Sequence, residues 1–421
     1  MSKRIQKPRG TRDILPDEYA FRERLLEKAF KILKTYGYRF IVTPTFEYTQ
    51  LFTRTIGETT DIVEKEMFRF QDRGGRDLAL RPEGTAPVIR AFLENRLIPP
   101  AKIAYFMNMF RAERPQKGRY REFWQIGVEA IGMKDPLIDA EVIELGARLL
   151  QEFGLENFIV EINSIGTKDE REAYKRALLD YIGEMESQGE ITLCEDCQRR
   201  KETNPLRILD CKIDGPKLQN APTILEFLSE DSYRYFEEVQ KYLKKWGVDF
   251  VVNPRLVRGL DYYTHTAFEI KLKEIGAQDA LIGGGRYDTL VEDLGGPATP
   301  AVGFAMGFDR VIVALGNIPR IKGPFYFVAT VGDFARGYGI GLLRKIRNMG
   351  VPADMSYEIK SLKAQMKIAD RIGAVKAVIV GEEEINRGKV RVRDMETGEE
   401  LLVEEDKLRD LYEEELKRKK T

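Results

Sequence analysis

Residues 111–129, RAERPQKGRYREFWQIGVE, constrain this chain more than any other stretch. Cations flank the loop RPQKGRYR, and the segments on either side, KIAYFMNMFRAE and REFWQIGVEAIG, are apolar enough to read as two strands joined by it. Such a hairpin belongs to an antiparallel sheet. Arg111 and Arg119 can each fork onto phosphate oxygens, Phe123 can stack on a purine, and Glu113 can accept from an adenine amino group. That set suits ATP held without a glycine-rich phosphate loop. Taken alone, the same residues also describe an ordinary hairpin with a solvated, charged tip.

The length of 421 residues accommodates two to three domains, and a hydrophobic share of 43% is enough for ordinary cores. Lys+Arg and Asp+Glu both number 68, so a strong overall field does not draw nucleic acid to this chain, and any such contact must come from local patches. The opening MSKRIQKPRGTRDILPDEYAFRE is charged throughout and contains no secretory signal. No stretch is long and apolar enough for a membrane span, and three cysteines do not make a disulfide scaffold. A cytoplasmic protein with no membrane partner is expected.

A helix is expected through FRERLLEKAFKILKTYG, ended by Gly37, followed by a strand interrupted at Pro44 in YRFIVTPTFEYTQLF. MFRFQDRGGRDLAL reads as a hairpin, RPEGTAPVIRAFLEN as a loop entering a helix, and PLIDAEVIELGARLLQEFG as an amphipathic helix. Residues from about 168 to 250 are helical and polar and read as an insertion, after which RLVRGLDYYTHTAFEI and DALIGGGRYDTL resume the strands. Beyond IPRIKGPF, strands and helices alternate as in a small βαβ-type domain, closed by the charged helix EEDKLRDLYEEELKRKK.

Four further segments carry chemistry. In RPEGT, Glu83 can hold an ammonium group with help from Thr85, although both residues also suit a helix start. In LVRGLDYY, Arg258 can reach a phosphate or carboxylate, and a hydroxyl of Tyr262 or Tyr263 can bond a polar ligand atom. GGGRYDTL permits close backbone approach but lacks the spacing and context of a dinucleotide fingerprint. GFAMGFDR places Gly307 and Arg310 at a strand-to-helix junction, where Arg310 can cover a purine or hold a terminal phosphate.

In this order, the segments resemble the histidyl-tRNA synthetase family of class II aminoacyl-tRNA synthetases. TPTFEYTQLF is similar to the class's first motif, FRAE–loop–RYREF to its second and GFAMGFDR to its third, while LVRGLDYY and GGGRYD resemble segments peculiar to the histidine enzymes. SLKAQMKIADRIGA and GKVRVRDMETGEE resemble the anticodon-binding domain. The resemblance implies an α+β fold: a class II antiparallel sheet flanked by helices over residues 1–325, a helical insertion at about 168–250, and an α/β anticodon-binding domain over 326–421. It also implies a homodimer.

The implied activity uses ATP and Mg²⁺ to convert L-histidine to histidyl-adenylate and pyrophosphate, then transfers histidine to the 3′ end of tRNA(His). The histidine carboxylate is already ionised near neutral pH, so the first step needs positioning and charge neutralisation rather than a base. Arg111 and Arg258 carry the catalytic roles, on the α-phosphate and the substrate carboxylate. Glu83, Thr85 and Gln125 correspond to binders of the α-amino group, and Glu129 and Tyr263 to partners of the two imidazole nitrogens, with Tyr262 beside them. Arg119 and Arg310 fall to the outer phosphates, Phe123 and Arg310 to the faces of adenine, Glu113 to its amino group, and Arg114 and Gln116 to the tRNA acceptor end.

The lone histidine, His265, reads as a structural strand residue. Cys194, Cys197 and Cys211 form three parts of a zinc site, with Asp196, Asp210 or Asp214 as conceivable fourth ligands; reduced structural thiols are the favoured reading. Two other functions compete. A regulatory paralogue on the same core would lack the C-terminal domain and the phosphate-binding arginines, and a pure RNA-binding module would not need Glu83, Glu129 and Tyr263 together.

Overall fold

The computed structural model describes residues 4–57, 60–273, 280–320 and 322–418. The chain divides into two compact units: Met1–Leu15 with Phe21–Asn317, and Ile318–Thr421 with the short stretch Pro16–Ala20.

The first unit is built on an eight-stranded sheet. Its strands run in the spatial order Arg39–Phe40, Ala101–Phe110, Glu122–Ile131, Ala301–Gly307, Ala280–Arg286, Thr264–Leu272, Phe158–Ser164 and Phe250–Val252. The six central strands pair antiparallel, as the hairpin pattern predicts. The two short edge strands pair parallel to their neighbours, which makes the whole sheet mixed. The antiparallel reading therefore holds for the strands that carry the candidate site and not for the edges.

Helix Pro136–Glu152 covers one face. The Asp135 side chain accepts from the Leu137 N–H, Pro136 opens the first turn, and Ile138, Val142, Leu145 and Leu149 are buried. Fully burying each such side chain stabilises the fold by about 1.5–3 kcal/mol. One buried ion pair joins this helix to the sheet: Arg286 grips Asp139, which also accepts from the Thr266 hydroxyl. Helix Pro16–Thr35 ends as expected, with Gly37 at φ 81° donating to the Lys34 carbonyl.

Around Pro44 the expected strand breaks into two, Arg39–Phe40 and Phe46–Tyr48, and TQLF belongs instead to helix Thr49–Ile56. Phe46–Tyr48 joins the hairpin strands Arg69–Gln71 and Asp77–Leu80 in a three-stranded sheet. The expected strand across LVRGLDYY is not one. It starts only at Thr264, so Arg258, Tyr262 and Tyr263 lie on a loop, where the two tyrosines are buried in the core rather than laid on a pleated surface.

The insertion leaves the sheet after Ser164. It contains helices Lys168–Ser187, Glu195–Thr203 and Glu230–Lys245 with short 3₁₀ turns between them, and its own apolar cluster centres on Tyr174, Leu178, Ile182, Cys197 and Ile208.

The second unit is a five-stranded sheet. Strands Ala353–Met355, Tyr326–Thr330 and Lys376–Val380 are parallel, and the hairpin Lys389–Asp394 and Glu400–Glu404 extends them antiparallel. Its closing helix, Lys407–Arg418, is charged as expected but buries Leu408; Lys419 and Lys420 lie outside the described residues. No helix among the described residues is long and apolar enough to cross a membrane.

Candidate active site

A cleft of about 950 Å³ opens over the central strands. It is lined by residues from all four chemistry-bearing segments and from the basic hairpin. Glu83, Thr85, Arg111, Gln125, Arg258, Tyr262 and Tyr263 line it together with Glu113, Arg119, Phe123 and Arg310. Eleven of the fourteen residues singled out from the sequence are thus brought to one place. Glu129 is the near exception: it is fully buried behind the wall, joined to the cleft through Thr85 and Tyr287. Arg114 and Gln116 lie outside the cleft, exposed on the hairpin loop.

The loop RPEGT enters helix Thr85–Glu94, and Glu83 does cap it: its carboxylate accepts the Thr85 N–H at 2.6 Å and the Ala86 N–H at 2.9 Å. The capping and ligand-binding readings are compatible, because a carboxylate has lone pairs beyond those two bonds. Burial pushes the Glu83 carboxyl up from its ordinary range, with these N–H groups and Arg111 pulling the other way. Arg111 is itself tied to this loop, with Nε donating to the Pro82 carbonyl at 2.9 Å, and its guanidinium lies 5.3 Å from the centre of the Phe123 ring.

Glu129 is central to the buried end. The Thr85 hydroxyl donates to it at 2.8 Å and the Tyr287 hydroxyl bonds its other oxygen. Burial pushes its carboxyl up to about 8, and these hydroxyls only partly offset that. Gly303 makes room for it: a Cβ there would meet Glu129 Oε2 at 2.2 Å. Four residues earlier on the same strand, Gln125 presents a buried Oε1 with no hydrogen-bond partner among the described residues. A buried acceptor without a donor costs about 1–3 kcal/mol, so this position favours a ligand N–H.

Arg258 crosses from its loop to pair with Glu269 on the neighbouring strand, and it lies over the Tyr263 ring at 5.4 Å. Burial opposes its charge, and Tyr263 and Glu269 sustain it. At the other end, Arg119 pairs with Glu113 at 3.7 Å, and Arg310 donates to the Ala280 carbonyl at 2.7 Å from the first turn of helix Phe308–Leu315. The cleft is therefore polar and mixed in charge at its deep end, with arginines ranged along the rest.

Several supporting residues escaped the sequence reading. Tyr287 lies within GGGRYD, which pointed to the segment but not to that hydroxyl. Arg81, beside RPEGT, donates to the carbonyls of Thr43 at 2.7 Å and Pro44 at 3.0 Å, and to the side chain of Asn108 at 2.7 Å. Asp309, buried in GFAMGFDR, binds Arg12 at 2.6 Å and Arg22, and accepts the Trp124 N–H at 2.6 Å. A single sequence carries no signal for partners so far apart along the chain. His265 is absent from the cleft lining; it is the second residue of strand Thr264–Leu272, at φ 45°, an irregular point where the register to the next strand shifts.

The same chain matches known proteins over nearly its whole length. A family model described as histidyl-tRNA synthetase matches residues 10–311, and one described as an anticodon binding domain matches residues 326–415. The histidine–tRNA ligase of Bacillus velezensis is 47% identical over 420 residues, covering 95% of this chain and 96% of that protein. The corresponding ligase of Bacillus subtilis is also 47% identical, over 94% of this chain and 95% of its own length. Among solved structures, apo histidyl-tRNA synthetase from S. aureus superposes with a TM-score of 0.80 at 37% identity, covering 97% of this chain and 99% of its own. The chain belongs to the histidyl-tRNA synthetase family.

Proposed function

We propose that this protein activates L-histidine with ATP and transfers the histidyl group to the 3′ end of tRNA(His). The observation that carries this reading is the meeting, in one cleft, of an amino-acid end built from Glu83, Thr85, Gln125 and Tyr263 over Glu129 with a nucleotide end built from Glu113, Arg119, Phe123 and Arg310. Arg111 and Arg258 are the two cations available to both.

In the first step a histidine carboxylate oxygen bonds to the α-phosphorus of ATP, and the bond from that phosphorus to the bridging oxygen breaks, releasing pyrophosphate. Arg111 and Arg258 neutralise the charge gathering at the phosphorus, a role in which fixed donors outperform water. Glu83 and the Gln125 oxygen take the ammonium group, and Glu129 and Tyr263 the imidazole nitrogens. Apolar amino acids of similar size would leave those buried groups without partners, and such sites discriminate strongly on that ground. Phe123 and Arg310 enclose adenine, while Arg119 and Arg310 hold the outer phosphates.

Mg²⁺, when bound with ATP, would offset the charge of the phosphates. Glu113, Glu269 and Asp309 are each paired with arginines, so the ion would be held mainly by phosphates and water. In the second step the terminal ribose hydroxyl attacks the histidyl carbonyl carbon and AMP leaves, with Arg114 and Gln116 holding the acceptor end.

The protein acts as a cytoplasmic homodimer. The exposed apolar side chains of Phe40, Val42 and Phe46 around Pro44, with Ile98 nearby, support the dimer, and light scattering during size-exclusion chromatography tests it. The activity itself is tested by ATP–pyrophosphate exchange with each of the twenty amino acids in the absence of tRNA. Exchange with histidine alone is expected. Exchange with none of them, in folded protein, would favour a regulatory or RNA-binding role instead.

A further inference from the structure

The insertion holds a cluster that the activity does not use. Cys194 immediately precedes helix Glu195–Thr203, Cys197 lies in its first turn, and Cys211 and Asp214 come from a separate turn further along the chain. Their ligand atoms all lie within 4.8 Å of one another. Cys194 Sγ and Cys211 Sγ are 3.8 Å apart, and Cys211 Sγ is 3.9 Å from Asp214 Oδ2. Tetrahedral zinc with Zn–S bonds of about 2.3 Å sets its ligand atoms about 3.8 Å apart, whereas a disulfide needs about 2.05 Å. All three cysteines are unbridged.

We propose that Cys194, Cys197, Cys211 and Asp214 bind one structural Zn²⁺ ion. Of the three aspartates open to that role by sequence, only Asp214 joins the cluster. Asp196 is exposed and pairs with Arg199 at 3.2 Å, and Asp210 lies outside the group. Asp214 is fully buried, and its orientation is held by the Cys194 N–H at 2.9 Å and the Lys217 ammonium at 2.8 Å. Lys217 also offsets part of the negative charge that three thiolates and a carboxylate carry in excess of the ion. Thiolate donors select zinc over magnesium or calcium, and four protein ligands leave no open position for chemistry.

The surrounding lobe shows why an ion would matter. Between Gln188 and Leu228 the regular structure is one nine-residue helix and three four-residue 3₁₀ turns. Small segments with so little regular structure commonly depend on a metal or disulfide for a fixed shape. This lobe also docks on the catalytic core, through Arg200 and Arg207 on Asp61 at 3.5 and 3.2 Å and Asn204 on Asp261 at 3.0 Å. Asp261 adjoins Tyr262 of the cleft. The proposal departs from the reading of these residues as plain reduced thiols.

The test is metal analysis of the full-length protein, purified under reducing conditions and, separately, reconstituted with zinc chloride and desalted. About one zinc per chain is expected, with the three thiols shielded from a thiol reagent until a chelator is added. Cobalt substitution should give the visible bands of a tetrahedral thiolate site. Cys197→Ser and Asp214→Asn should each lose the ion, and Asp196→Asn should retain it. Absence of zinc from both wild-type preparations overturns the proposal, as does a Cys194–Cys211 disulfide seen by mass spectrometry. Loss of zinc in Asp196→Asn with retention in Asp214→Asn overturns the ligand assignment. Where Cys197→Ser fails to fold, the wild-type stoichiometry decides.

Discussion

The guanidinium of Arg258 rests against the bare Cα of Gly283: a Cβ at that position would come within 2.3 Å of Nη2 and 2.8 Å of Cζ. The arginine is held in place by Glu269 and cannot yield without losing that partner. The glycine therefore fixes where that guanidinium can lie, although it offers no side chain. Gly283→Ala should leave the fold intact and lower kcat/KM for histidine in pyrophosphate exchange by about 10²–10³-fold, the usual loss when one fixed cationic donor is displaced. Near-normal exchange in this variant would mean that the guanidinium yields to the added methyl group; Arg258→Ala, with the same loss expected, then tests the arginine directly.

Glu129 predicts a pH signature. Its folded-state value of about 8 lies above the ordinary 4.5, so the folded protein binds this proton more tightly than the unfolded chain does. The stability it contributes is complete below about pH 4.5, is lost as pH rises toward 8, and changes no further above that. Glu129→Gln removes the titration. Melting temperatures of the two proteins measured from pH 5 to 9 should therefore diverge in the variant's favour as pH rises, levelling off above about 8. Parallel curves would contradict the raised value.

Asp309 predicts a loss of stability. This buried carboxylate joins two arginines and a strand N–H. Asp309→Ala leaves buried positive charge without its counterpart, and breaking a buried pair in this way costs about 3–5 kcal/mol. Urea unfolding followed by circular dichroism measures it; a change below about 1 kcal/mol would mean that the arginines find other partners.

The pattern of those partners separates what was legible in the sequence from what was not. The basic hairpin, its two strands, the break at Pro44 and the helix from Pro136 follow from local composition and spacing, and the structure keeps them. LVRGLDYY misleads because valine, leucine and tyrosine favour strands, whereas here Tyr262 and Tyr263 are used to fill the core from a loop. Tyr287, Glu269 and Asp309 matter through contacts with residues far along the chain, and no local pattern encodes those. The same holds for the choice of Asp214 over its neighbours, which depends on which turn folds back to the cysteines.

Arg114 and Gln116 predict a separation of the two steps. Both side chains are exposed on the hairpin loop and outside the cleft. Arg114→Ala should leave histidine-dependent pyrophosphate exchange within about twofold of normal and slow tRNA charging about tenfold, the loss expected when one charge-assisted contact goes. Equal losses in both assays would place the arginine in the first step instead.

The insertion leaves the sheet at Ser164 and returns at Phe250 as the strand lying next to the one it left, with Val160 opposite Phe250. The two strands run parallel, so the excursion is a crossover that carries the chain from Ser164 at one end of the pair back to Phe250 at the other. Lengthening or shortening the segment between them changes loop-closure entropy only slowly and leaves the register of Phe158–Ser164 against Phe250–Val252 unchanged. Variation within the lobe leaves that strand pairing in place, whereas loss of the whole lobe also removes the contacts of Arg200 and Arg207 with Asp61 and of Asn204 with Asp261 beside the cleft.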